Sequence, residues 1–110
     1  MLSPLFRPDV VQLRDKGALM AFARMYNNPN LRKEQYDAMR AKMGVTENMP
    51  DGAVLHFAGE TSDGGWRVIE VWESEEQARA WDAKLDPALV AAGIKRPVPD
   101  IWQVHNLMKR

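Results

Sequence analysis

Residues 56–72, HFAGETSDGGWRVIEVW, hold one of the chain's two histidines, two of its four tryptophans and a glutamate inside a run of strand-forming residues. A strand shows alternate side chains to opposite faces, so Trp66, Val68, Glu70 and Trp72 share one face. A carboxylate among indole rings is costly unless something pairs with it. If Glu60 pairs with Trp66 around the loop TSDGG, then Ala58 opposes Val68, His56 opposes Glu70 and Val54 opposes Trp72. A histidine beside a carboxylate can work as a general base, the carboxylate fixing its tautomer and stabilising its cation; the same contact also serves as a plain cross-strand bond. His56 and Glu70 are therefore the candidate catalytic pair. Trp66 and Trp72 are the candidate wall of an apolar ligand site, or packing for a subunit interface. Tyr36 is placed to present a hydroxyl between helix and sheet, and His105 is a further candidate ligand contact.

The register also divides the hairpin into two faces. Leu55, Phe57, Arg67, Ile69 and Val71 form the cleaner apolar one and are expected beneath the helices. The mixed face with His56, Trp66, Glu70 and Trp72 is then expected to meet a cavity or a partner sheet.

Two histidines and a glutamate raise the question of a two-histidine, one-carboxylate metal site. His56 and His105 fall on strands at opposite edges of the expected sheet, three spacings or roughly 14 Å apart, so both cannot hold one ion within a subunit. No metal is expected.

The elements that must position these residues follow from periodicity and punctuation. ALMAFARMY, residues 18–26, is a compact apolar run closed by NNPN, the first strand. Tyr36, Met39 and Met43 mark one face of a helix over 31–43, with Asn30 as its cap and Gly44 past its end. Residues 53–60 and 66–73 read as two strands of a hairpin. Ser74 and Gln77 form a capping box for a second helix whose buried stripe is Ala78, Trp81 and Leu85. Asp86 and Pro87 then suit the cap and first residue of another short helix, and IWQVHNL, residues 101–107, is the last strand. Trp102 is expected in the core or a cavity wall. The order is strand, helix, strand, strand, helix, strand: an α+β, ferredoxin-like βαββαβ unit with an antiparallel four-stranded sheet in spatial order 4-1-3-2. Residues 1–17 lack a helical or strand period and are expected to be an N-terminal extension to a single domain over 18–110.

Composition narrows the function. With 45% hydrophobic and 27% charged residues the chain belongs with ordinary globular domains. Fifteen basic and fifteen acidic residues cancel, so no overall field favours nucleic acid or an anionic membrane surface. The absence of cysteine excludes disulfides, thiolate nucleophiles and sulfur-ligated metal. No segment has the apolar length of a signal-peptide core or a bilayer span, and a cytoplasmic location is expected.

Together the hairpin and its following residues HFAGETSDGGWRVIEVWESEE, the earlier EQYDAMRAKMG, the later LDPALVAAG and the closing VHNL resemble small bacterial proteins of the dimeric α+β barrel superfamily related to the antibiotic biosynthesis monooxygenases. The resemblance covers residues 18–108. It implies a homodimer, an apolar aromatic or polyketide-like small-molecule substrate, and chemistry without a cofactor. In that chemistry His56 would remove a C–H or phenolic proton and the resulting anion would react with oxygen or rearrange. The superfamily also holds haem-degrading members, but no histidine lies in the second helix, and no glycine-rich dinucleotide fingerprint follows a strand. From other classes come a non-catalytic dimer that sequesters a hydrophobic metabolite and a purely structural dimerisation module.

Overall fold

The computed structural model describes residues 21–110. Strand β1 runs Phe22–Asn28, helix α1 Lys33–Lys42, strands β2 and β3 Ala53–Glu60 and Trp66–Trp72, helix α2 Glu75–Ala91, and strand β4 Asp100–Gln103. The sheet is antiparallel in the order β2-β3-β1-β4, the expected arrangement. The N-terminal extension and residues 18–20 of the expected first strand lie outside the described residues.

Local chemistry moves four boundaries. Asn27 and Asn28 pair with Arg67 and Trp66, so β1 carries on through residues with turn character and the chain reverses at Pro29 and Asn30. Asn30 does not cap α1: its N–H is taken by the Asn28 side chain at 3.1 Å, and the Gln35 amide oxygen accepts the N–H of Arg32, the capping residue, at 2.9 Å. Pro87 does not start a new helix but sits inside an unbroken α2. Asp86, the expected cap, instead holds the guanidinium of Arg96. The last strand stops at Gln103, four residues before the expected end, and Trp102 is 46% exposed.

Ser74 starts α2 as read, accepting the Gln77 N–H at 3.2 Å, while its hydroxyl donates to the Gln77 side-chain oxygen at 2.9 Å. Gly52 at the entry to β2 has φ +84°, and a Cβ there would lie 2.4 Å from the Gln77 side chain. The hairpin and α2 are thereby pressed together in a way only glycine permits.

The hairpin register is the preferred one from Glu60↔Trp66 through His56↔Glu70. Beyond that an irregularity between Ala53 and Leu55 places Ala53, not Val54, opposite Trp72. The facing of the sheet is the reverse of the expectation. The mixed face lies under the helices: Phe22, Trp72 and Ala78 form the buried core, with Ala53 and Trp81 packed against it. The other face carries Leu55, Phe57, Ile69, Met25 and Trp102, and Phe57 is 52% exposed. The helices can cover the mixed face because its charges find partners there.

Candidate functional site

Between α1, α2 and the helix-side face of the sheet lies a cavity of about 120 Å³. Tyr36, Met39 and Arg40 close it from α1; Trp81, Asp82 and Leu85 from α2; and His56, Trp66, Val68, Glu70 and Arg24 form its floor. The period-2 strand pattern brings His56, Trp66 and Glu70 to one face, and the helical period brings Tyr36 above them.

His56 is held from three directions. Its Nε2 lies 2.5 Å from the Tyr36 hydroxyl and 3.2 Å from Arg40 Nη1, and its Nδ1 lies 3.6 Å from Glu70 Oε2. A guanidinium can only donate, so Nε2 carries the lone pair and the proton sits on Nδ1, toward Glu70. At 3.6 Å the contact with Glu70 is too long for a hydrogen bond, and it becomes an ion pair when His56 is protonated. The Tyr36 hydroxyl then donates to Nε2. Burial raises the Tyr36 pKa above its ordinary value against the opposing pull of Arg40, so the phenol keeps its proton near neutral pH.

Glu70 is 7% exposed, and its Oε1 accepts from Arg24 Nε at 3.0 Å, Arg24 Nη2 at 2.8 Å and Trp72 Nε1 at 3.0 Å. Burial pushes its carboxyl up, but the His56 ring, the Arg24 guanidinium and the Trp72 N–H together outweigh burial and hold it below its usual value. Arg24 in turn reaches Asp82 of α2 through Nη1 at 2.7 Å and Nη2 at 3.0 Å. Burial works against the Arg24 charge, but the hydrogen bond to Asp82 and the charge of Glu70 raise its pKa further. Asp82 also pairs with Arg96 at 2.8 Å. A line of alternating charges therefore ties β3 through β1 to α2, each buried charge paired and hydrogen-bonded as burial requires.

Trp66 differs from Trp72. Its ring lies 5.2 Å from that of Tyr36, centroid to centroid, and its buried Nε1 has no hydrogen-bond partner among the described residues. An orphaned N–H beside a cavity is a donor in want of an acceptor. Trp72, 1% exposed and bonded to Glu70, belongs to the core and the charge network and does not line the main cavity, contrary to the expectation of a wall. His105 lies beyond β4, exposed and away from the cavity, so the structure does not bring it to His56. Among the described residues no group of histidines and acids could hold a metal ion.

Arg24, Arg40, Asp82 and Arg96 were not singled out from the sequence. Arg24 had a signal, a charge two residues from Phe22 and from Tyr26 within an apolar strand. That is the same anomaly that marks Glu70.

No family model matches the chain, and no curated relative does. Solved structures do. A candidate antibiotic biosynthesis monooxygenase from Chloroflexus aurantiacus superposes with a TM-score of 0.57 at 13% identity, covering 78% of this chain and 94% of that one. The chain shares the ferredoxin-like fold of these solved structures. SnoaB, a cofactor-independent oxygenase from Streptomyces nogalater, superposes with a TM-score of 0.54 at 14% identity over 79% of this chain and 93% of its own. A further candidate of the same description from Deinococcus radiodurans gives 0.54 at 11% identity over 83% and 98%. These likenesses bear out the resemblance at the level of the fold. Among the described residues no helix is long and apolar enough to cross a membrane.

Proposed function

We propose that the chain is a cofactor-independent, monooxygenase-like enzyme that removes a proton from a small apolar aromatic substrate. The observation that carries this is the Tyr36–His56 pair, 2.5 Å from hydroxyl to Nε2, in a cavity that the Trp66 ring also lines. Because Tyr36 occupies the Nε2 lone pair, the proton travels in two linked transfers. Tyr36 Oη accepts the substrate's C–H or phenolic proton while its own passes to His56 Nε2. The imidazolium formed faces the Glu70 carboxylate, which stabilises its charge, and the substrate anion is left against the Trp66 ring. The electron-rich anion then reacts with oxygen or rearranges. The likeness to a cofactor-independent oxygenase supports the class of chemistry.

The cavity is of the order of the roughly 150 Å³ apolar cavities that take up benzene. Its size supports a single-ring substrate over a fused polyketide. The apolar face bearing Leu55, Phe57, Ile69 and Trp102 supports a homodimer formed through the open side of the sheet.

The test is a fluorescence-quenching screen of single-ring phenols, followed by oxygen uptake with each binder. Uptake that disappears in His56→Ala supports the proposal. Binders without chemistry across the panel would make the protein a sequestering dimer, and an absence of binders would leave a dimerisation module.

A further inference from the structure

Three arginines, Arg24, Arg40 and Arg96, line the cavity together with two acids, Glu70 and Asp82. Arg24 bonds to both acids, and Arg96 is neutralised by Asp82 and Asp86. Arg40 is the one left over. Half-buried on α1, it donates to the Val45 carbonyl and stands 3.2 Å from His56 Nε2, both neutral acceptors, and among the described residues no carboxylate pairs with it. It also meets Tyr36 at a single lone pair. The Tyr36 hydroxyl and Arg40 Nη1 both address His56 Nε2, which can satisfy one of them fully. If His56 took a proton instead, two cations would face each other at 3.2 Å. Either state leaves a guanidinium in search of an anion.

Resting on the reading of this cavity as a substrate site, we propose that its ligand is a carboxylic acid with a compact apolar body of about one aromatic ring, its carboxylate paired with Arg40. A guanidinium presents parallel N–H donors that match the two oxygens of a carboxylate, a geometry no phenol offers. Of the five N–H donors of Arg40, two are directed at neutral acceptors, so an incoming carboxylate has donors to take. It would draw Arg40 from Nε2, leave that lone pair to Tyr36, and offset the charge that opposes protonation of His56. Ligand binding thereby prepares the base. The apolar remainder of the cavity sets the size.

The experiment titrates the full chain with phenylacetate and phenylacetamide, equal in shape and different in charge, read by tryptophan quenching at low ionic strength. The acid is expected to bind at least tenfold more tightly than the amide. In Arg40→Met that preference should vanish while amide binding stays, and Arg40→Lys, which keeps the charge without the fork, should retain part of it. 2-Naphthylacetate should bind more weakly than phenylacetate. Equal affinity for acid and amide in the wild type overturns the proposal without any variant, as does a preference that survives in folded Arg40→Met, or a failure of both compounds to bind at millimolar concentration. Oxygen uptake is measured separately. An acid preference without uptake upholds this ligand class and removes the enzymatic reading, whereas uptake with neutral phenols and no acid preference does the reverse.

Discussion

Arg24 grips a single oxygen of Glu70: its Nε and Nη2 lie 3.0 and 2.8 Å from Oε1, which leaves Oε2 to face His56. The carboxylate is thus fixed by one strand neighbour and oriented toward the other. Because β3 lies between β1 and β2, Arg24, Glu70 and His56 form a row across three strands.

Substituting Glu70 by Gln should therefore have two separable effects. The His56 ring loses the charge that holds its proton on Nδ1, so ¹⁵N shifts of the imidazole should show a mixed tautomer instead of a single one. Breaking a buried pair costs about 3–5 kcal/mol, and since Arg24 keeps Asp82 the loss should fall at the low end. The Glu70 carboxyl is held below its usual value, so its contribution is complete above the ordinary carboxylate range and is lost as pH falls through the depressed value. Wild type and Glu70→Gln should accordingly converge in stability on acidification. Denaturant curves that stay equally separated from neutral pH to pH 2 would contradict the pairing.

The two tryptophans of β3 should respond differently to replacement by Phe. Trp72→Phe removes one of the three hydrogen bonds to Glu70 Oε1 and leaves space in the core. Trp66→Phe removes an N–H that has no partner among the described residues. A hydrogen bond to a charged group is worth about 1.5–3 kcal/mol, so Trp72→Phe should be the more destabilising by about that amount. Trp66→Phe should instead weaken the binding of a ligand bearing an oxygen acceptor by about tenfold, the worth of one hydrogen bond. Thermal melts and quenching titrations on the same pair of variants decide it.

Much of this arrangement was legible in the residues. Strand order and the His56–Glu70 register followed from alternation, turn residues and the need to pair a buried acid. The facing of the sheet did not follow, because hydrophobicity along one hairpin favours burying Leu55, Phe57 and Ile69. What reverses the choice is supplied from far away in the chain: Arg24 from β1 and Asp82 from α2 satisfy Glu70 and make the mixed face buriable. Pro87 misled for a similar reason. The side chain expected to cap a new helix was already committed to Arg96, ten residues on.

The exposed face makes its own prediction. Phe57 stands 52% exposed in the same row as Ile69 and Met25, with Leu55 and Trp102 in the neighbouring row. A dimer through this face should give a light-scattering mass twice the 12.5 kDa of the chain. Phe57→Glu, which sets a like charge against its symmetry mate, should reduce that to the single-chain mass with the fold retained by circular dichroism. A wild-type protein that runs as a single chain at micromolar concentration would remove the dimer.

Tyr36→Phe distinguishes the relay from direct attack by His56. The ring and its packing on Trp66 stay in place, and only the hydroxyl 2.5 Å from Nε2 is lost. If Tyr36 carries the proton, kcat for oxygen uptake should fall by the 10²–10⁴ associated with a positioned acid–base group, with KM nearly unchanged, because the hydroxyl acts in the transition state and contributes little to ground-state binding. If His56 acts directly, freeing its lone pair should leave kcat unchanged or raise it. The pH profile gives a second reading. Burial holds the Tyr36 proton in place beyond its ordinary range, so the wild-type rate should change through phenol ionisation only at a pH above that range, where the phenolate accepts the substrate proton directly. An alkaline limb that is identical in Tyr36→Phe would assign it to another group and return the base to His56 alone.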